Sequence, residues 1–180
     1  MYLSDRDIRN NILQGNIDIS PFDERRLQPA SYDIRLGNKF LVVKENSVTH
    51  IDPVKKILPE YDEIIVADGG QFILRPGVTV LGTSIEKFGS VKYLIQLSGK
   101  SSLARIGLIV HNTAGLINPG HYLNITFELA NMNSVPIILH AGMDIAQLLF
   151  AEMSSPSEKD YKNTGRYKDG EDNLVEYIEK

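Results

Sequence analysis

Apolar and polar positions change period early in this chain. Over residues 4–15 the signals are helical: Ser4 can cap a short helix, Asp7 stands at its third position, Leu3 and Ile8 can staple its entry, and Gly15 is a stop. From Tyr32 onward the pattern becomes short β-branched runs broken by turn residues: YDIRL, KFLVV, EIIVA, QFIL, VTVLGTS, YLIQLS, LIV, YLNITFELA, VPIIL and IAQLLFAE. Many short strands at this spacing predict a mostly-β, closed or two-layer fold behind a short N-terminal helix. Arg75-Pro76-Gly77, Asn118-Pro119-Gly120 and Ala141-Gly142 fall between strands and read as tight turns.

Residues 99–128, GKSSLARIGLIVHNTAGLINPGHYLNITFE, concentrate the candidate chemistry. Gly99-Lys100-Ser101-Ser102 offers amides, hydroxyls and a cation to an anionic group, and Arg105 adds a planar guanidinium suited to phosphate. A Walker-type phosphate loop is rejected, because the glycine it requires five positions before Gly99 is Leu94. Ser101 and Ser102 then open either an N-capped short helix or a phosphate-binding turn, readings that are compatible. In the run 123–129, Leu123, Ile125, Phe127 and Leu129 share one strand face, and Asn124, Thr126 and Glu128 the other. Glu128 therefore points away from the apolar layer and is the proton-transfer candidate, against the plainer reading of a solvated strand glutamate. His111 reads as packed, Asn118 as a turn former whose amide can reach a sugar hydroxyl, and Asp33 as the partner of a nearby cation or backbone group. From Ser154 to about Asn173 the chain is polar, with Tyr161, Gly165, Arg166, Tyr167 and Gly170 among charges. It reads either as a mobile tail or as a flap that closes on a ligand, with Arg166 for phosphate and tyrosine for stacking.

Composition narrows the partners. With 180 residues and 42% apolar content the default is one domain. Nineteen basic against twenty-three acidic side chains, a net charge of −4, argue against a nucleic-acid polymer while leaving a single small anionic ligand open. The first ten residues are charged and no window approaches the ~18 apolar residues of a membrane span, so no membrane partner and a cytoplasmic location are expected. The chain has no cysteine, which removes disulfides, thiolate nucleophiles and the usual cysteine-containing zinc sites. The zinc nucleobase deaminases need H-x-E and P-C-x-x-C, whereas His50, His111, His121 and His140 are followed two residues later by Asp52, Thr113, Leu123 and Gly142. Any base deamination here uses no zinc on the attacking water.

Together with LSDRDI (3–8), QPASYDIRLGN (28–38) and Ala141-Gly142-Met143, these residues closely resemble the dCTP deaminases, a branch of the dUTPase superfamily, over nearly the whole chain. The resemblance implies a single domain over 1–180, a distorted β-barrel or jelly-roll subunit of dUTPase-like type. It further implies a homotrimer with sites between subunits, Mg²⁺ bound through the triphosphate, and a flap from about 154 to 180. Carried over by position, Lys100, Ser101, Ser102, Leu103, Ala104 and Arg105 are the phosphate and catalytic-support segment, and Glu128 is the general acid/base. The Ala114 carbonyl helps hold the water, Thr126 and Phe127 lie beside the base, and Gln147, Tyr161 and Arg166 contact nucleotide. The implied reaction is hydrolytic deamination of dCTP to dUTP and ammonia, supplying thymidylate synthesis, with dTTP a candidate inhibitor.

Three positions depart from the family pattern. Asn118 stands where bifunctional members, which go on to cleave dUTP to dUMP and diphosphate, carry an aspartate near the deoxyribose. Leu123 replaces a glycine, and Gly170 a tail glutamine. Thr113-Ala114-Gly115 nonetheless resembles those bifunctional members. The expectation is a deaminase. The alternatives are a bifunctional deaminase/diphosphatase, a plain dUTPase, or a catalytically silent trimeric nucleotide-binding protein.

Overall fold

The computed structural model describes residues 1–159 and 161–165. Ser4 accepts the Asp7 amide at the start of α1 (Asp5–Leu13), as its capping position predicts. Gly15 follows the helix in the left-handed region, at φ +72°, where a side chain is strained. Leu3 and Ile8, the expected staple, are both buried.

The strands follow in chain order: β1 (Ile17–Ser20), β2 (Leu27–Gln28), β3 (Ser31–Val43), β4 (Tyr61–Ile65), β5 (Gln71–Leu74), β6 (Thr79–Ser90) and β7 (Leu94–Gly99). A single-turn helix, α2 (Ser101–Ala104), separates these from β8 (Leu108–Ile109), β9 (Leu116–Ile117), β10 (Leu123–Asn131), β11 (Ile137–His140) and β12 (Asp144–Ala151). A further turn of helix, α3 (Tyr161–Thr164), closes the described chain. The runs YDIRL and KFLVV form one strand, because Gly37 lets β3 continue across Thr83, whose carbonyl a Cβ would meet at 3.0 Å.

The main sheet runs β8-β10-β6-β3-β12-β7-β9, with β1 added to β6 and both β2 and β4 to β3, while β5 and β11 pair separately. Every pairing among the described residues is antiparallel. β3 changes neighbours along its length, pairing with β12 through residues 32–35 and with β4 and β6 through 36–43. Register breaks in β3, β10 and β12 accompany the change. Such breaks raise local twist, which curls the sheet around one core. Tyr32, Phe40, Phe88, Phe127 and Phe150 fill that core and are fully buried.

The three predicted turns are present, with Gly77, Gly120 and Gly142 at φ +71°, +85° and +88°. Among the described residues no helix is long and apolar enough to cross a membrane.

Candidate active site

β8 and β9, the two ends of the main sheet, are nearly consecutive in the chain, so residues 110–115 bridge the seam where the curled sheet meets itself. The Leu97 amide donates to the Gly115 carbonyl (2.7 Å), tying the bridge to β7. Gly99 lies so close to Val110 that a Cβ would stand 3.0 Å from its side chain. Strand alternation in β10 buries Ile125, Phe127 and Leu129 and leaves Thr126 and Glu128 half-buried on the other face. β8 pairs Ile109 with Ala130, so the bridge runs back alongside Glu128. There the Asn112 amide donates to Glu128 Oε2 (3.1 Å), a bond that holds the carboxyl in place. Ala114 is exposed on the same bridge.

α2 follows directly after β7 and lies against β8, with Lys100 as its N-cap and no side chain capping it. Lys100 is taken: its Nζ is 2.5 Å from Asp33 Oδ2, to which Gln28 Nε2 also donates (3.2 Å). Gln147 is likewise engaged, accepting from Ser31 Oγ (3.0 Å) and donating to the Gly99 carbonyl (3.4 Å). These side chains lock the β7–α2 turn to β3 and β12. Leu103 packs on the core. Ser101, Ser102, Ala104 and Arg105 are exposed, and no hydrogen bond or ion pair joins Ser101 or Arg105 to Glu128 among the described residues. Phe127 is fully buried, so its ring belongs to the core. Thr126 lies opposite Thr83 on the face of Glu128.

Asn118 is exposed in a turn whose carbonyl accepts the His121 amide (3.1 Å) and whose Gly120 amide donates to Ser90 (2.7 Å). Tyr161 stacks on His121 with centroids 4.1 Å apart and an interplanar angle of 19°, which brings the tail to this turn. Burial pushes the His121 pKa below the ordinary histidine value. Arg166 and Gly170, and with them most of the expected flap, lie outside the described residues. A cleft of about 810 Å³ opens between Val91, Lys92, Tyr93, the Pro119-Gly120 turn and the segment after Glu152, away from Glu128 and α2.

Reasoning from local pattern missed Asn112, whose contribution is a backbone amide. It also missed Gln28, Ser31 and His121, and the polar set Ser84, Glu86 and Asn124. For the last a signal exists: Ser84 and Glu86 occupy the inward phase of β6, between Gly82 and Phe88, where an apolar strand carries no polar residue without a partner.

The chain is thus a curled, half-barrel antiparallel sheet with a hydroxyl- and cation-bearing turn after β7 and one carboxylate on β10 beside the 110–115 bridge. A family model described as dCTP deaminase-like matches residues 2–153. The protein of Corynebacterium efficiens named "dCTP deaminase, dUMP-forming" is 47% identical over 163 residues, covering 89% of this chain and 84% of the relative. Proteins of the same name from Dictyoglomus thermophilum (46% over 165 residues; 89% and 85%) and Mycobacterium tuberculosis (45% over 162 residues; 89% and 85%) are similar. The crystal structure of 2'-deoxycytidine 5'-triphosphate deaminase from Agrobacterium tumefaciens superposes with a TM-score of 0.65 at 19% identity, over 84% of this chain and 48% of that longer one, and shares the fold. The chain belongs to the dCTP deaminase-like family.

Proposed function

We propose that this protein deaminates dCTP with water, giving dUTP and ammonia, with Glu128 as the general acid/base. The observation that carries the reading is the half-buried Glu128 carboxylate at the seam, oriented by the Asn112 amide and flanked by the Ala114 bridge. Glu128 takes a proton from water as the oxygen attacks C4 of the cytosine. The same carboxyl delivers that proton to N3, then takes the proton of the new C4 hydroxyl as the C4 carbonyl forms and passes it to the amine, which leaves as ammonia. Ser101 and Arg105 orient the water and the carboxylate, and Ser102 and Arg105 bind phosphate. The exposure of Ser101, Ser102 and Arg105, none of which is hydrogen-bonded to Glu128 among the described residues, supports completion of each site by a neighbouring copy, within a homotrimer.

Among the described residues no three His, Cys, Asp or Glu side chains converge on a cation position. Ser101, Ser102 and Arg105 are the residues that would meet a Mg²⁺-loaded triphosphate, and the ion would supply neutralisation of phosphate charge. The reading includes a cytoplasmic enzyme with dTTP as a candidate inhibitor.

A second reading, cleavage of dUTP to dUMP and diphosphate at the same site, is favoured by the dUMP-forming name that the relatives carry and by the Thr113-Ala114-Gly115 bridge. Against it, the Asn118 amide cannot act as a base. Purified protein with Mg²⁺, supplied with dCTP and in a parallel reaction with dUTP, and assayed for ammonia and for diphosphate, separates the readings. Ammonia alone supports the deaminase, and both products support the two-step enzyme. Diphosphate from dUTP without ammonia from dCTP overturns the deaminase in favour of a dUTPase. Tight dCTP binding without either product marks a silent binding protein.

A further inference from the structure

β10, the strand that carries Thr126, Phe127 and Glu128, does not pair evenly with β6. Asn124 lies opposite Lys87, yet Thr126 lies opposite Thr83, so Ser84, Ile85 and Glu86 together face the single residue Ile125. Backbone groups freed by such a bulge must find partners when buried, and here side chains supply them. Ser84, 4% exposed, accepts the Ile125 amide on its hydroxyl oxygen (2.9 Å) and donates its hydroxyl to the Glu86 carbonyl (2.7 Å). The Asn124 amide donates to the carbonyls of Ser84 (3.0 Å) and Ile85 (3.2 Å). On the opposite edge the fully buried Glu86 carboxylate accepts the Arg35 backbone amide (2.8 Å) and its Nε (2.6 Å), fastening the bulge to β3.

We infer that Ser84 is a positioning residue for the deamination, its hydroxyl pinning β10 at Ile125 and thereby setting where the Glu128 carboxylate stands. The inference rests on the reading of Glu128 as the acid/base. Glu128 follows the pinned amide by three residues, with no other break between Thr126 and Ala130 to absorb a shift. A slip of one residue turns a side chain to the opposite face of a strand, and smaller slack at the pin moves the carboxylate along the seam. Ser84 reaches the reaction only through β10. It is buried on the inward phase of β6, whereas Glu128 lies on the outer phase of β10.

The test compares wild type, Ser84→Ala, Ser84→Thr and Glu128→Gln by ammonia release from dCTP, with melting temperature and oligomeric state measured on each. Ser84→Ala is expected to lower kcat about tenfold with KM within twofold, since displacement of a catalytic group taxes the chemical step rather than binding. Ser84→Thr, which keeps the hydroxyl, is expected to restore kcat to within about twofold. A folded Ser84→Ala with wild-type kcat, an equal effect on kcat and KM, or a folded Ser84→Thr that stays as slow as the alanine variant overturns the inference. If Ser84→Ala does not fold, Asn124→Ala, which removes the other clamp of the same bulge, must show the kcat-specific loss, and its absence overturns the inference. A Glu128→Gln variant of normal rate overturns the reading of Glu128 and this inference with it. An inactive Glu128→Gln beside a fully active Ser84→Ala overturns the inference alone.

Discussion

Replacing Lys100 with methionine strands a buried carboxylate. Asp33 keeps only 7% of its side-chain area in solvent, and Lys100 Nζ lies 2.5 Å from its Oδ2. At an effective dielectric near 20, two unit charges at that distance attract by about 7 kcal/mol before the cost of desolvating them is counted. Deleting one partner of a buried pair costs about 3–5 kcal/mol, because the other charge stays behind without compensation. Lys100 retains 26% of its side-chain area in solvent and Gln28 still donates to Asp33, so the figure is discounted to about 2–3 kcal/mol for Lys100→Met. The reciprocal change is milder. Asp33→Asn leaves an ammonium on a flexible stem that can turn to water, and about 1–2 kcal/mol is expected. The double variant is expected to recover at least about 1 kcal/mol relative to the sum of the single costs. The chain has no tryptophan, so urea unfolding is followed by far-UV circular dichroism, at one protomer concentration for all four proteins. Equal single costs, a dearer Asp33→Asn, or strict additivity refutes the picture of a buried acid dependent on a movable cation.

Glu128→Gln is expected to lower deamination by more than ~100-fold while dCTP binding by calorimetry stays near wild type; a near-normal rate removes Glu128 from the mechanism. Asn118→Asp is expected to raise diphosphate release from dUTP by about tenfold or more, since it restores an anionic group able to orient water; no gain makes Leu123 or the tail the limit on that step. His121 titrates below its ordinary value of 6.5 because of burial, so the fold favours its neutral form. Its contribution is complete above pH ~6.5 and is lost as pH falls through the depressed folded value. His121→Phe keeps a ring for Tyr161 and should flatten the decline in melting temperature between pH 7.5 and 5; an unchanged profile rules His121 out as its source. Gly89→Ala would bring a Cβ to 2.6 Å from the His121 carbonyl and the Tyr122 ring, and a loss of about 1–3 kcal/mol is expected on urea unfolding.

Much of the fold was legible because it depends on short-range geometry. The cap at Ser4, the left-handed glycines of the three turns and the inward phase of β10 follow from φ preferences and a period of two. Asp33, a lone acid among apolar neighbours, was expected to find a cation and does so in Lys100. β1, β2 and β9 escaped the reading because two to four residues carry too little alternation to register, and their pairing energy comes from strands far along the chain. The break at Gly37 read as a turn because a glycine weakens a strand pattern, yet its missing side chain is what allows β3 to pass Thr83.

The residue types of the candidate site, their faces and the resemblance they carry were all present in the linear order of amino acids. Their spatial relations were not. The Asn112 amide on Glu128, the engagement of Lys100 and Gln147, and the bulge that sets β10 against β6 join residues 16 to 116 positions apart. A strand's face is settled within a few residues by backbone geometry. Its neighbour and register are settled by whichever long-range pairing buries the apolar face and leaves no buried amide or carboxylate unmatched, and no local stretch of sequence contains that sum.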